Sequence, residues 1–393
     1  MKFNVFQNRT PLIEVEKLSS WKLYDFNDIL LDDTKNGVKI KKEDYLKQGE
    51  YPIVDQGQSY ISGFTNQSDG LYETDGALIF GDHTRIIKYV DFPLYLGADG
   101  VKLLKSKIDK TRVNMKYIYY FMKTIDLPSD GYSRHFKYLK EVVIPIPTLE
   151  IQNKIINTLD KAQELIDKRK EQIEACDELV KSRFIEMFGD PVQNPLDWEL
   201  KPFLESGSCK NGMNFSATET GVELQYLGVG DFKDLSKIDD VNDLGKVSLN
   251  KMPSTEYLLQ DGDIVFVRSN GNKALVGRCL AVYPNGVSTT YSGFCIRYRK
   301  TDGNLEIPYL LQVLKTDSMR KNMAGRGANI QNLNQQILGE LMIPVPPLEL
   351  QKQFTDFINQ VDKLKFEMEQ SLKELEDNFN SLMQRAFKGE LFN

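Results

Sequence analysis

The nine residues IPIPTLEIQ at 144–152 return as IPVPPLELQ at 343–351, six of nine identical and 199 positions apart. At that offset Ile155 meets Phe354, Leu159 meets Ile358, Ile173 meets Leu372 and Phe188 meets Phe387, so the likeness runs for about 45 residues. Upstream, helix-like MKYIYYFMKT (115–124) aligns with IPYLLQVLKT (307–316) and strand-like DGALIF (75–80) with DGDIVF (261–266). The only two tryptophans align as well, Trp21 in WKL with Trp198 in WEL. The offsets rise in chain order, 177, 186, 192 and 199, as they do when a second copy of one unit gains short loop insertions. The chain is a tandem duplication, so both copies must satisfy one fold.

Each copy carries a variable segment, an Ile-Pro-x-Pro hinge and a polar helical tail. This divides the chain into a module at 1–141, a helical region at 142–190, a module at 191–340 and a helical region at 341–393. The variable segments contain β-branched and aromatic runs bounded by Gly, Asn and Asp, such as ALIFGDHTRIIKYV and DIVFVRSNGNKALVGRCLAVY. These predict strands joined by tight loops, with one helix before each hinge. That is a mixed α/β module rather than a parallel βαβ array.

In the first tail Leu159, Ala162, Ile166, Ile173, Cys176 and Val180 step by threes and fours, broken at Arg169. In the second, Ile358, Val361, Met368, Leu372, Leu375 and Phe379 do the same, with Lys365 as the charged seam position and Leu364 beside it. This is the a/d spacing of a coiled coil, and a seam lysine can pack its stem while its head reaches water. Pro347 suits a first helical turn, and Gly189 followed by Pro191 suits a stop. Leu149 to Met187 predicts a helix of about 58 Å. One tail alone fits oligomerisation as well as an internal pair; two matched tails favour pairing within the chain. The expected fold class is α+β: two mixed α/β modules separated by an antiparallel two-helix coiled coil with a pseudo-two-fold internal repeat. In that arrangement the helical rod acts as a ruler.

Composition narrows the chemistry. With 393 residues, 41% hydrophobic and 27% charged, the chain is ordinary globular material for several domains. No apolar run reaches the ~18 residues of a bilayer helix, and the start lacks a secretory pattern, so no membrane partner and a cytoplasmic location are expected. Cys176, Cys209, Cys279 and Cys295 never fall at C-x-x-C spacing and read as reduced core residues. Two histidines, His83 and His135, are too few for a His-based metal site or a Ser-His-Asp triad.

A net charge of -6 speaks weakly against nucleic acid, but its distribution reverses that. Residues 102–140 hold ten basic and three acidic side chains and residues 297–339 seven and three, whereas each helical tail is net -3. Two locally basic modules on an acidic support form the electrostatic footprint of contact with a polyanion at two places. Base reading needs Arg for guanine and Asn or Gln for adenine, on loops or helices that enter a groove. The first module offers His83, Thr84 and Arg85 in one loop and Arg134, His135 and Lys137 in GYSRHFKYLK. The second offers Arg268, Asn270, Asn272 and Lys273 in RSNGNK, and Arg326, Asn329, Gln331 and Asn332 in GRGANIQN. Residue type alone leaves open whether His83 and His135 touch DNA or are satisfied within their loops.

The doubled proline hinge with its Leu-Glu-x-Gln, the long helix after each, Trp-x-Leu opening each module, and segments such as YPIVDQGQSYISGF, FGDHTRIIKYV and DGDIVFVRSNG resemble the specificity (S) subunits of type I restriction-modification systems. The likeness covers essentially the whole chain. It implies two target recognition domains, each reading one half of a split sequence in double-stranded DNA, and helices that fix the spacer while docking two methyltransferase (M) subunits. It further implies that restriction (R) subunits join the complex, and that S-adenosylmethionine, ATP and Mg²⁺ serve those partners while this chain holds no cofactor or metal. The lead of about 20 residues before Trp21 is too short for a third long helix.

A non-catalytic role agrees with the residues. NPLDW (194–198) and LGVGDF (227–232) do not make an amino-methyltransferase motif and its cofactor loop, and GNKALVG lacks the ending of a P-loop. The rival expectations are a self-contained DNA methyltransferase or nuclease with a cryptic site, and a scaffold whose modules bind proteins.

Overall fold

The computed structural model describes residues 21–97, 100–128, 133–216, 218–232, 236–324 and 332–392. The chain forms two compact units, one built from Met1–Glu171 with Glu369–Asn393 and the other from Gln172–Met368. Each unit therefore holds one module and half of each long helix.

The first unit runs β1 (Lys22–Asp25), α1 (Phe26–Ile29), β2 (Leu30–Asp32), β3 (Tyr51–Val54), β4 (Gly63–Thr65), β5 (Ala77–Gly81), β6 (Ile87–Val90), β7 (Tyr95–Leu96), β8 (Val101–Ser106), α2 (Met115–Lys123), α3 (Phe136–Leu139), β9 (Val143–Ile146) and the start of α4 (Leu149–Phe188). The second contains the end of α4, then β10 (Leu200–Pro202), β11 (Gly207–Asn211), β12 (Val222–Leu227), β13 (Lys237–Ile238), β14 (Gly245–Leu249), β15 (Asp263–Val267), β16 (Cys279–Val282), β17 (Thr289–Tyr291), β18 (Cys295–Lys300), α5 (Ile307–Lys315), α6 (Asp317–Ala324), α7 (Gln335–Gly339), β19 (Met342–Pro344) and the start of α8 (Leu348–Phe387).

The repeat is visible strand by strand. In the first module β2-β8-β5-β6 form an antiparallel sheet; in the second, β11-β18-β15-β16 repeat it with β13 added at the edge. A smaller mixed sheet, β4-β3-β7, recurs as β14-β12-β17, each with one antiparallel and one parallel pairing. The predicted strand-loop-strand runs are the hairpins β5–β6 and β15–β16, and α2 and α5 are the predicted pre-hinge helices, but one helix per module is too few: α3 in the first module and α6 and α7 in the second also precede the hinge.

The Trp-x-Leu opening and the hinge are sheet partners. Strand β1 pairs antiparallel with β9, Leu23 opposite Pro145, and β10 pairs with β19, Lys201 opposite Ile343. These two-stranded ladders tolerate the hinge prolines, which a central strand would not.

The glutamine closing each Leu-Glu-x-Gln motif locks the hinge from inside. Gln152 is fully buried; its Oε1 accepts from Asn114 N at 2.9 Å, and its Nε2 donates to Pro147 O at 3.0 Å and Arg112 O at 2.8 Å. Gln351 repeats this, accepting from Glu306 N at 2.8 Å and donating to Pro346 O and Asn304 O at 2.8 and 3.0 Å. Tyr117 OH donates to Pro145 O, and Tyr309 OH to Pro344 O. Each lock ties the N-terminus of α2 or α5 to the first turn of a long helix and satisfies backbone groups that burial would otherwise leave costly.

Helices α4 and α8 are each 40 residues long and pair antiparallel. In the first unit Ile155, Leu159, Ala162 and Ile166 share a core with Leu372, Leu375, Phe379, Met383 and Phe387, joined by Tyr117 and Phe121 of α2. Lys170 pairs with Glu376 at 3.0 Å. In the second unit Phe184 and Phe188 meet Phe354 edge-on, with Tyr309 of α5 beside them. The predicted seam residues Ile173, Cys176, Val180, Ile358, Val361 and Met368 are buried or half-buried. Lys365 lies half-buried on the seam and reaches Asp177 at 2.7 Å, its head at the rim as its long stem allows. Helix α4 stops at Gly189, whose φ of +75° suits glycine, and Trp198 Nε1 donates to the terminal carbonyl of Phe188.

Candidate nucleic-acid interface

In the first module the loop after β5 is held from three sides. Asp82, buried, donates its N–H to Gly100 O at 2.7 Å, and its carbonyl accepts from His135 N at 2.8 Å. Its Oδ1 accepts from Phe136 N at 2.7 Å, and the His135 ring donates through Nδ1 to Asp82 O at 2.9 Å. The two segments singled out in the sequence, 83–85 and 134–137, are thus one structure, with Asp82 and His135 at its joint. His83 is half-exposed and its N–H donates to Gln56 Oε1, while the exposed Thr84 donates through Oγ1 to Gln56 O at 2.7 Å. Arg85 adopts a left-handed φ of +62° at the loop tip, and its guanidinium reaches Leu127 O at 3.1 Å. A non-glycine residue in that region is uncommon and is held there by the surrounding bonds.

Among these candidates His135 differs from the others: it is 1% exposed, so its ring organises the loops from within. Arg134 and Lys137 are exposed beside it. Lys102 and Lys140, which belong to no sequence motif, place their ammonium groups 5.0 and 4.7 Å from the centre of the Phe136 ring. Lys102 is also paired with Asp32 at 3.0 Å, so the exposed Arg134, Lys137 and Lys140 carry the basic character of the surface around α3. Their signal in the sequence was the local charge excess rather than any motif. Beneath the loop, buried Lys88 donates to Asp55 O and Ser59 O; burial pulls its ammonium pKa below the ordinary lysine value, partly offset by Asp55.

The second module repeats the joint with different residues. Arg268 follows β15 as Asp82 follows β5; its N–H donates to Phe294 O at 2.8 Å, and its carbonyl accepts from Leu333 N at 2.9 Å. The Arg268 guanidinium is half-exposed and leans on Gly293 O at 3.4 Å. Asn270 Oδ1 accepts from Asn272 N, and Asn272 Oδ1 from Ala274 N, so both side chains shape the RSNGNK loop. Lys273 and Asn332 are exposed; Arg326, Asn329 and Gln331 lie outside the described residues. Gln335 Nε2 donates to Asn211 Oδ1, adding a loop contact not expected from the sequence.

The cysteines take no part in this surface. All four are free, and burial pushes the thiols of Cys209 and Cys295 up to about 12 and that of Cys279 to about 11. Among the described residues no helix is long and apolar enough to cross a membrane.

Comparison with known proteins now decides the family. The model of the type I restriction modification DNA specificity domain matches residues 19–175 and 254–377, most of the chain. The chain belongs to that specificity family. Among relatives of this family, the StySPI specificity subunit of Salmonella potsdam is 26% identical over 271 residues, covering 63% of this chain and 57% of its own. The EcoR124I/EcoR124II specificity subunit of Escherichia coli is 32% identical over 136 residues, 31% of this chain and 33% of its own. The chain thus spans about half or less of the length of these curated relatives. Two solved structures share the fold: the type I S subunit from M. genitalium (TM-score 0.51, 17% identity, 93% of this chain and 96% of that one) and a chain from a structural study of type I system assembly and conformational transition (TM-score 0.57, 16% identity, 95% and 99%). Both relatives are named as specificity subunits of type I restriction enzymes.

Proposed function

We propose that the chain reads a bipartite sequence in double-stranded DNA for a type I restriction-modification complex, one half-site per module. The observation that carries this reading is the joint built twice: residues 82, 100 and 135 in one module and 268, 294 and 333 in the other are tied by equivalent backbone bonds, each beneath a loop rich in exposed polar groups. Two equivalent readers with different side chains suit a target whose halves differ in sequence. The basic surface around α3 supplies phosphate contacts that hold the register, while Arg85, Arg134, Arg268, Asn270 and Asn272 offer donors to base edges.

Paired α4 and α8 set the unread spacer and dock two methyltransferase subunits, through which restriction subunits join. This chain contributes no catalytic residue; S-adenosylmethionine, ATP and Mg²⁺ serve the partners, and the complex works in the cytoplasm. Mapping methylated adenines in the host genome with and without this gene tests the reading. A split motif that disappears with the gene supports it; an unchanged methylation pattern, or turnover by the isolated chain given S-adenosylmethionine or Mg²⁺, refutes it.

A further inference from the structure

Phe294 is the one large apolar side chain exposed on the described loops of the second module's reading joint, with 59% of its surface open to solvent. A lone exposed apolar side chain is ordinary on a protein surface; what sets Phe294 apart is its place, since its own carbonyl is the acceptor that ties Arg268 into the joint. Its backbone is held firmly. Phe294 N donates to Ser292 Oγ, its carbonyl accepts from Arg268 N and Ser269 N, and Cys295 N closes the turn onto Ser292 O. The backbone that carries the ring is therefore fixed, and the adjacent Gly293 carbonyl accepts from the Arg268 guanidinium.

The first module has a glycine at the equivalent position. Strands β8 and β18 begin at Val101 and Cys295, so the position equivalent to Phe294 is Gly100. Gly100 has φ +84°, and a Cβ there would lie 2.6 Å from Gln56 Nε2 and 2.8 Å from a carbon of the His83 ring. The first module fills with its own polar side chains the space into which the second projects an aromatic ring.

A phenyl ring has no donor or acceptor for a base edge. Around it Arg268 suits guanine and Asn270 and Asn272 suit adenine; the apolar feature of the major groove is the C5-methyl group of thymine. We infer that Phe294 is a specificity-determining residue of the second module that covers a thymine methyl in its half-site. This rests on the reading of that module as a DNA reader.

The test uses the full chain assembled with its methyltransferase subunits, on duplexes carrying the split motif found by methylation mapping. Each thymine of the second half-site is replaced in turn by uracil, which removes only the methyl. One position should lose about fourfold in affinity, the worth of one buried methyl group. In Phe294→Ala that position should bind thymine and uracil equally, while Phe294→Leu retains part of the preference. Three results overturn the inference: a second half-site without thymine, a uracil pattern unchanged in Phe294→Ala, or a loss that is equal for both bases. If the unaltered complex shows no preference for its motif over unrelated duplex, the functional reading itself fails instead.

Discussion

Replacing Gln152 by Leu keeps most of the apolar bulk of the side chain and removes all of its hydrogen bonding. Three backbone groups lose their partner at once: Asn114 N–H, Arg112 C=O and Pro147 C=O, now met at 2.8 to 3.0 Å. A buried polar group left unsatisfied costs about 1 to 3 kcal/mol, and of the three only Pro147 C=O lies in a fully buried bond, so the variant should lose about 1 to 3 kcal/mol. The loss should concentrate at the start of α2, because Asn114 also caps that helix by accepting from Lys116 N through its side chain. Native-state hydrogen exchange is the direct assay: the Asn114 amide should exchange faster by about one to two orders of magnitude, since each 1.4 kcal/mol is a factor of ten. Urea denaturation of the first unit's signals should shift to lower midpoint. Gln351→Leu strands the equivalent Glu306, Asn304 and Pro346 groups and should behave alike in the second unit. A loss below about 1 kcal/mol with the Asn114 amide still protected would mean that the lock is incidental to stability.

Three further outcomes are expected. Lys365→Leu replaces a half-buried seam lysine whose partner Asp177 is 61% exposed, so the lost ion pair is worth little and the added apolar contact should raise the thermal midpoint; no gain would argue against its seam position. Inserting one in-register heptad in both α4 and α8 lengthens each by about 10 Å and should lengthen the preferred DNA spacer by about three base pairs, read out by methylation mapping; an unchanged spacer with intact half-sites refutes the ruler. Burial would raise the carboxyl pKa of Asp33, but hydrogen bonds from Lys105, Tyr72 and Asn36, with the charge of Lys105, together hold it below the ordinary value. A depressed folded-state pKa contributes stability above the unfolded value near about 4 that is lost as pH falls through the folded one, so Asp33→Asn should flatten the acid limb of the stability curve there.

Much of the fold was legible because it is written twice. The offset of 199 matched helices that run Leu149–Phe188 and Leu348–Phe387, and a seam period survives any change of loop. What the sequence withheld was long-range and carried by backbone. Gln152 and Gln351 were part of a recognised motif, yet nothing in their spacing says which buried carbonyls they satisfy. The clusters around His83 and His135 were separately visible, but only the fold joins them through Asp82, and only the fold puts His135 inside. Phe294 was invisible for the same reason: a single aromatic between two strands reads as core until its neighbours are placed.

The two units differ in how they can be born. Gln172–Met368 is contiguous and can close as soon as it has left the ribosome, whereas the first core waits for Phe379, Met383 and Phe387, on the far side of the whole second unit. Until those three side chains arrive, Tyr117 and Phe121 face a gap, and the earlier-made half stays unfinished until the second unit has been made. A nascent chain cut short before residue 369 would therefore leave the ribosome with its first half open, and is a natural substrate for chaperones and proteases.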